Sequence, residues 1–105
     1  MESNDIVIAL SALAQTSRLA VFRLLVQAGP TGLPAGKIAD SLAIPSSSLS
    51  FHLKELSHAG LVSSRQEGRF VIYAANFGTM NTVIAYLTEN CCGGESCAPT
   101  QCPEC

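Results

Sequence analysis

The chain has 105 residues and a net charge of −2, and 48% of its residues are apolar. This length predicts a single domain with a modest core, and so small a domain gains stability from association. No apolar run approaches the roughly 18 residues needed to span a bilayer. The N-terminus MESNDIVIAL begins with acidic rather than basic residues, which excludes a signal peptide. We therefore expect a cytoplasmic protein without a membrane partner.

The charges are unevenly distributed along the chain. Residues 15–75 contain six basic and three acidic residues and so carry a net charge of +3, whereas the two ends together carry −5. A surface that binds DNA needs its positive charge concentrated in this way. The overall negative charge therefore does not exclude a nucleic-acid partner.

Three helices are predicted before residue 43. Residues 5–14 are apolar around most of the helix circumference, so the first helix needs cover on more than one side. Residues 16–28 predict a second helix, capped by Thr16 or Ser17 and stopped by a Gly-Pro-Thr-Gly turn. Residues 35–42 predict a short third helix, which a tight turn joins to the next element.

The stretch PSSSLSFHLKELSHAGLV, residues 45–62, predicts a fourth helix with a polar leading end. Its proline and serines supply a start signal, with hydroxyls able to cap the helix, and Gly60 supplies a stop. Leu49, Leu53 and Leu56 fall at helical spacing and predict one buried stripe. The remaining face of the helix is then available to a partner.

This remaining face suits the major groove of DNA. Two short helices joined by a tight turn form a helix-turn-helix, whose second helix enters the groove. Small hydroxyl side chains allow close approach and bond bases or phosphates, and a helix N-terminus attracts phosphate. The alternative is a serine-rich loop before an ordinary amphipathic helix. The candidate DNA contacts on this helix are Ser47, Ser48, Ser50, Phe51, His52 and Lys54, of which His52 either packs or touches a phosphate.

After Gly60 the period changes to that of strands. Residues 61–66 and 69–74 predict two strands, and Glu67-Gly68 between them is a hairpin turn signal. Arg65 and Arg69 flank the tip. A basic hairpin after a helix-turn-helix predicts a wing that lies along DNA, where Arg65 and Arg69, like Lys54, hold phosphates as isolated positive charges. The alternative is a plain surface hairpin with two solvated arginines.

The last predicted helix, residues 77–90, places several apolar residues at helical spacing. They could simply belong to the core. However, the first and last helices together offer more apolar surface than a small domain needs, which favours a homodimer interface built from both. The predicted fold class is mainly α with a small β-hairpin (α+β), a winged helix-turn-helix of element order α-α-α-α-β-β-α.

All five cysteines lie in the last 15 residues, and three interpretations compete. Structural disulfides suit a secreted protein rather than the reducing cytosol. A zinc site is consistent with the spacing of Cys102 and Cys105, although the adjacent Cys91-Cys92 makes a poor half-site. The third interpretation is a sensor for a soft ion such as As(III) or Sb(III), because thiolates select soft ions. Such a pyramidal centre needs only three sulfurs, which an adjacent pair and one sulfur beyond Gly93-Gly94 can supply.

The order of these elements, together with the phrases SFHLKELSHAGLV and RQEGRFVIY, resembles the ArsR family of metalloregulatory repressors. The resemblance covers residues 9–97. It implies a homodimeric winged helix-turn-helix repressor, joined through its first and last helices, that leaves operator DNA when an inducer binds. It implies neither an enzyme nor an organic cofactor.

The resemblance also implies where the inducer binds. Many arsenic-sensing members carry a Cys-Val-Cys pair on the third or fourth helix, and this sequence has no cysteine there. Its ending AYLTENCC, followed by a nearby cysteine, instead resembles a subgroup that binds arsenite through a C-terminal triad. Applied to this sequence, the resemblance implies a triad of Cys91, Cys92 and Cys97. Cys102 and Cys105 lie outside the matched pattern.

The resulting expectation is a repressor with As(III) or Sb(III) as inducer and inverted-repeat operator DNA as partner. Residues 1–90 are expected to form the DNA-binding and dimerisation domain, and residues 91–105 a cysteine-rich inducer-binding tail. The rival hypothesis is a zinc-binding or redox-sensing module whose winged helix contacts protein.

Overall fold

The computed structural model describes residues 2–94, which form five α-helices, a three-stranded antiparallel sheet and a final 3-10 turn. This architecture confirms the predicted mainly helical fold with a β-hairpin. In chain order the elements are α1 (Ser3–Leu13), α2 (Thr16–Ala28), β1 (Leu33–Pro34), α3 (Ala35–Leu42), α4 (Ser46–His58), β2 (Val62–Glu67), β3 (Phe70–Ala75), α5 (Phe77–Leu87) and the 3-10 turn Cys91–Gly94.

One hydrophobic core joins all five helices to the sheet. Helix α2 crosses its centre and buries Val21, Phe22 and Leu25. The neighbouring helix α3 contributes Ile38, which is completely buried. Burying one such side chain stabilises a fold by about 1.5–3 kcal/mol. The core therefore fixes α3 and α4, the two helices of the helix-turn-helix, against the body of the domain.

The C-terminal end of α4 agrees with the prediction from the sequence, and its N-terminal end does not. Gly60 has a φ of 76°, and the Leu61 amide donates to the Leu56 carbonyl at 3.0 Å, so the glycine ends the helix as predicted. At the other end Pro45 is the N-cap, and no side chain caps it. The prediction that serine hydroxyls cap this helix is therefore wrong.

The predicted cap of α2 is also wrong. The side chain of Gln15 accepts a hydrogen bond from the Arg18 amide at 2.8 Å, and Gln15 has the extended backbone of an N-cap residue. Thr16 is the first helical residue, so neither Thr16 nor Ser17 occupies the capping position. A glutamine at this position is a less common cap than serine or threonine, which explains why sequence preference pointed one or two residues further on.

The junction of α1 and α2 is a sharp bend. The Arg18 Nε donates to the carbonyl of Ala12 at 2.7 Å and ties the start of α2 to the end of α1. Within residues 2–94 no single helix is long and apolar enough to cross a membrane. Helices α1 and α2 meet that length and composition only as a pair bent by 101°.

The hairpin is displaced by one residue from its prediction. Glu67 pairs with Phe70, so Gly68 and Arg69 form a two-residue turn in which Gly68 has a φ of 61°. A glycine with positive φ at the first position of such a turn matches the twist of the flanking strands. The strands therefore begin and end one residue later than the alternation indicated.

The sheet contains a third strand, β1, which was not predicted from the sequence. Strand β1 has only two residues, Leu33 and Pro34, and pairs with Tyr73 and Ile72 of β3, so the sheet order is β1-β3-β2. Two residues that include a proline give no alternating pattern. The strand is positioned by Gly32, whose φ is 70°.

The last helix is shorter than predicted. Helix α5 ends at Leu87 rather than at residue 90, and the Thr88 hydroxyl donates to the Ile84 carbonyl at 2.8 Å. Asn90 has a φ of 57°, which a continuing α-helix does not allow. Cys91 and Cys92 consequently follow α5 after a short turn instead of ending the helix.

We predict that Gly32→Ala destabilises the fold strongly. A Cβ at residue 32 would lie 2.3 Å from the backbone oxygen of Tyr73, and the positive φ adds strain. The expected loss in the free energy of unfolding is at least about 3 kcal/mol, measured by urea denaturation. Gly29→Ala is the matched control, because Gly29 also has a strained backbone, with φ 80° and ψ −170°, but no atom lies within 4 Å of the new Cβ. It should cost only the backbone strain of about 1–3 kcal/mol, less than Gly32→Ala. Equal losses in the two variants would contradict the steric explanation.

Candidate nucleic-acid interface

The buried stripe of α4 fixes which of its residues face outward. Leu49 and Leu53 are each 2% exposed and Leu56 is fully buried, as predicted. The rotation of the helix is thereby set by the core. Five of the six predicted DNA contacts on this helix are exposed on the remaining face: Ser47, Ser48, Ser50, Phe51 and Lys54.

Phe51 is unusual on this polar face, because its side chain is 55% exposed. Lys54 lies nearly one helical turn further on and makes no hydrogen bond or ion pair with residues 2–94. A small hydroxyl surface with one apolar ring and one available cation can approach a groove closely, contact a thymine methyl group and hold a phosphate.

His52 differs from its neighbours on α4. It is half-buried, and its Nδ1 is buried without a hydrogen-bond partner among residues 2–94. Its ring meets the ring of Phe51 edge to face, with centroids 5.8 Å apart. The packing role is therefore present in the structure, and only Nε2 remains for a contact with a phosphate.

No side chain of residues 2–94 caps the leading end of α4. The Pro45 carbonyl accepts the first intrahelical bond, from the Leu49 amide at 2.9 Å, and the part of the chain that the structure describes offers no side-chain acceptor to the amides before it. The first amides of a helix carry partial positive charge and donate hydrogen bonds to an external anion such as phosphate. The absent cap therefore suits a helix that docks on DNA.

The two arginines of the hairpin have different surroundings. The Arg65 guanidinium forms an ion pair with Glu67 at 2.5 Å and donates from Nη2 to the Thr31 carbonyl at 2.7 Å. The prediction of an isolated charge is therefore wrong for Arg65. Arg69, in the turn, is exposed and makes no hydrogen bond or ion pair within residues 2–94. Arg65 and Glu67 can form their ion pair because they lie two residues apart on one strand, so their side chains share a face of the sheet.

The ion pair changes the charge that the hairpin presents. Glu67 is the one acidic residue between residues 62 and 75, and Arg65 neutralises it. The positive charge of Arg69 is then left at the tip. The sequence predicted two phosphate-binding arginines in the hairpin. In the structure Arg65 is bonded to Glu67, and only Arg69 of the two has no partner within residues 2–94.

A second surface is apolar and lies on α1 and α5. These helices are in contact, and the Ser3 hydroxyl lies 2.7 Å from the Tyr86 hydroxyl. Exposed apolar patches of this kind are typical of protein interaction sites. The exposed apolar side chains of the two helices are Val7, Ile8, Leu10, Ile84, Tyr86 and Leu87.

The cysteine pair lies just beyond this apolar surface. Cys91 and Cys92 are exposed, and their Sγ atoms are 3.6 Å apart. Asn90, Cys92 and Gly93 all have left-handed φ values of 57–69°, so the chain turns sharply here. Left-handed non-glycine residues cost about 1 kcal/mol or more each and are concentrated at functional sites.

The separation of the two sulfurs fits a shared ion. Bonds from thiolate sulfur to a thiophilic ion such as zinc are about 2.3 Å long, so two sulfurs on one ion lie within about 4.6 Å of each other. Residues 2–94 contain no group of three His, Cys, Asp or Glu side chains that could hold a metal ion. A three-ligand site built on this pair would take its third ligand from residues 95–105 or from a second copy. The predicted ligand Cys97 lies outside the described residues, as do Cys102 and Cys105.

Phe70 follows Arg69 at the tip of the hairpin and is not among the DNA contacts predicted from the sequence. Its side chain is 63% exposed. The alternation of β3 assigns it to the same face as the buried Ile72, so a pattern of apolar residues alone predicts a core position. The signal that could have identified it is its place beside the turn.

Comparison with known proteins identifies a helix-turn-helix domain in this chain and solved structures of similar fold. A family model described as a helix-turn-helix domain matches residues 13–65, half of the chain. No curated protein matches the chain. Among solved structures, the chain is similar to an ArsR-like transcriptional regulator from Rhodococcus sp. RHA1, with a TM-score of 0.71 and 25% identity over 80% of this chain and 76% of that chain.

Two further solved structures are similar. One is described as a possible transcriptional regulator for arsenical resistance, with a TM-score of 0.66 and 26% identity over 75% of this chain and 79% of that chain. The other is the homodimeric winged helix-turn-helix DNA-binding domain of Mb0332 from Mycobacterium bovis, a possible ArsR-family transcriptional regulator. Its TM-score is 0.65 at 20% identity, over 90% of this chain and 88% of that chain, which shows the fold.

We predict that Arg65 contributes to stability and Arg69 does not. Arg65→Ala removes both the ion pair with Glu67 and the bond to the Thr31 carbonyl, which joins β2 to the loop before β1. The pair is exposed, so the expected loss in the free energy of unfolding is about 1 kcal/mol or less. Arg69→Ala is the control and should leave the denaturation midpoint unchanged. A larger loss for Arg69→Ala than for Arg65→Ala would show that these roles are assigned the wrong way round.

Proposed function

The chain belongs to the ArsR family of helix-turn-helix transcriptional regulators, and we propose that it is a repressor released from operator DNA by trivalent arsenic or antimony. Its membership makes it a DNA-binding regulator rather than an enzyme. The observation that carries the proposal is the exposed pair Cys91 and Cys92, with sulfurs 3.6 Å apart at the turn after α5. The similar protein described as a possible regulator for arsenical resistance supports the choice of inducer.

In this proposal α4 enters the major groove. Its outward serines and Phe51 contact base edges, and Lys54 holds a phosphate. His52 positions Phe51 through their ring contact. Arg69 at the tip of the wing holds a second phosphate, while Arg65 maintains the shape of the hairpin. Phosphate contacts fix the register of the protein on the duplex, and base contacts select the sequence.

The functional unit is proposed to be a homodimer joined through α1 and α5. The exposed apolar side chains of these helices give a reason for association, since a domain of this size buries limited surface alone. The similar domain of Mb0332 is homodimeric. A two-fold dimer presents two copies of α4 about 34 Å apart, which corresponds to an inverted repeat with half-sites near 10 bp apart.

The proposed inducer site combines Cys91, Cys92 and Cys97. Thiolates bind soft ions, and a pyramidal As(III) or Sb(III) centre takes three of them. Thiolates must form before the ion binds, so binding releases protons and weakens at low pH. A cytoplasmic location belongs to the same proposal, because the cytosol keeps the thiols reduced.

The site is connected to the DNA-binding geometry through α5. The Cys91 amide donates to the Thr88 carbonyl at 2.9 Å, which attaches the cysteine pair to the end of that helix. Drawing three sulfurs around one ion reshapes this turn and so shifts the proposed dimer face. A typical coupling of about 1–3 kcal/mol changes DNA affinity by roughly 5–150-fold.

We predict that three cysteines are required for release. Cys91→Ser, Cys92→Ser and Cys97→Ser should bind operator DNA like the parent and stay bound when arsenite is added, because serine keeps the size but is not a soft ligand. The measurement is a gel shift with a promoter fragment, with and without arsenite. The expected change is loss of the 5–150-fold effect of arsenite in each variant.

The matched controls are Cys102→Ser and Cys105→Ser, which lie in the same tail and should respond like the parent. Release of Cys97→Ser together with retention of Cys102→Ser would assign the third ligand to Cys102. Release of all five variants by arsenite would contradict the proposed inducer site.

We predict that Arg69→Ala reduces the salt dependence of DNA binding. Each neutralised phosphate contributes about −0.9 to the slope of log K against log salt, and a dimer presents Arg69 twice, so the slope should flatten by up to about 2. The control is Arg65→Ala combined with Glu67→Ala, which removes the ion pair and keeps the net charge of the hairpin. An unchanged slope for Arg69→Ala would remove the wing from the proposed interface.

A further inference from the structure

Phe70 is the most exposed of the large apolar side chains in residues 2–94. It is the first residue of β3, pairs with Glu67 across the hairpin and directly follows Arg69. Ile72 and Ala74 lie on the same face of the strand and are buried, so β3 extends beyond the core at its tip. The ring therefore projects past the body of the domain, where no described residue covers it.

The proposed dimer face does not cover Phe70 either. Helix α5 begins at Phe77, beyond the opposite end of β3 and seven residues from Phe70. At about 3.3 Å per residue, the strand separates Phe70 from the end of β3 that leads to α5 by about 17 Å. The exposed apolar side chains of α5 lie further along that helix, at Ile84, Tyr86 and Leu87. The ring is thus a separate apolar surface.

The charges around Phe70 complement DNA. Arg65 neutralises Glu67, the residue opposite Phe70, and Arg69 beside it makes no bond within residues 2–94. The tip therefore presents an aromatic ring next to an available cation. The minor groove has strong negative potential and apolar sugar walls, and apolar side chains are known to wedge into it.

We propose that Phe70 is a minor-groove contact that makes the repressor prefer A·T pairs beside each major-groove half-site. The inference rests on the proposed binding of operator DNA by α4 and the wing. Arg69 holds the wing on the backbone, and the Phe70 ring packs between the sugar walls. The guanine N2 amino group lies on the floor of this groove and obstructs the ring, whereas A·T pairs leave the floor open.

The test uses the full-length protein and a duplex selected by it from a random-sequence pool. Phe70→Ala should lower the affinity about tenfold, equivalent to about 1.4 kcal/mol. Its salt slope should equal that of the parent, because the ring carries no charge. Phe70→Leu should recover most of the affinity. Arg69→Ala is the contrasting variant, since it should change the slope.

The second part of the test changes the base pairs that flank each half-site. Replacing A·T pairs under the wing by G·C should weaken the parent and leave Phe70→Ala unaffected. Replacing the same pairs by inosine·C, which lacks the N2 amino group, should restore binding by the parent. This coupling between one side chain and one minor-groove group would not arise from a structural role of Phe70.

Three results would overturn the inference. They are an unchanged affinity for Phe70→Ala, an equal loss on every flanking sequence, and a change in self-association without DNA when Phe70→Ala is compared with the parent by sedimentation. The last would show that the tip contacts a second copy. All measurements are made without arsenite, so a result against Phe70 leaves the inducer response intact, and a failed arsenite response leaves the Phe70 result valid.

Discussion

The packing of three leucines on one side of α4 is the constraint on which the proposed DNA-binding surface depends. Leu49, Leu53 and Leu56 are buried against the core, and α4 contacts α1, α2 and α3. A helix whose one buried stripe contacts three other helices has little freedom to rotate, so its outward residues are fixed by burial rather than by bonds of their own. Polar residues on that face can then change to suit an operator without loss of the fold.

Internal hydrogen bonds reduce the positive charge that is available to DNA. Of the six basic residues, Arg18 bonds the Ala12 carbonyl and Arg65 bonds Glu67 and the Thr31 carbonyl. Both arginines fasten loops, at the junction of α1 and α2 and before β1. The charge count of the sequence therefore overestimates the number of phosphate contacts. Of the four basic residues that remain, Lys54 lies on the outward face of α4 and Arg69 at the tip of the wing. Their location, rather than the total charge, is what suits a DNA partner.

The sequence predicted those features that depend on periodicity. The stripe of α4, the stop at Gly60 and the bounds of α3 agree with the structure, because apolar spacing and glycine conformation are local properties. Features that depend on residues distant in the sequence could not be predicted. For example, β1 forms only through its pairing with β3. Arg65 likewise bonds Thr31, 34 residues away. The predicted exposure of serines on α4 needed only the leucine stripe, whereas the exposure of Phe70 depends on where the core ends.

The position of the cysteine pair matters because a ligand shifts an equilibrium only by its difference in affinity for two states. An ion held by a tail without connection to the domain would bind both states equally and release nothing. Here the backbone bonds from Cys91 to Thr88 and from Gly93 to Asn90 connect the pair to the end of α5. The left-handed residues at this turn leave few alternative paths for the chain. We propose that closing sulfurs around an ion changes this turn and so displaces the end of the helix that carries the exposed apolar surface.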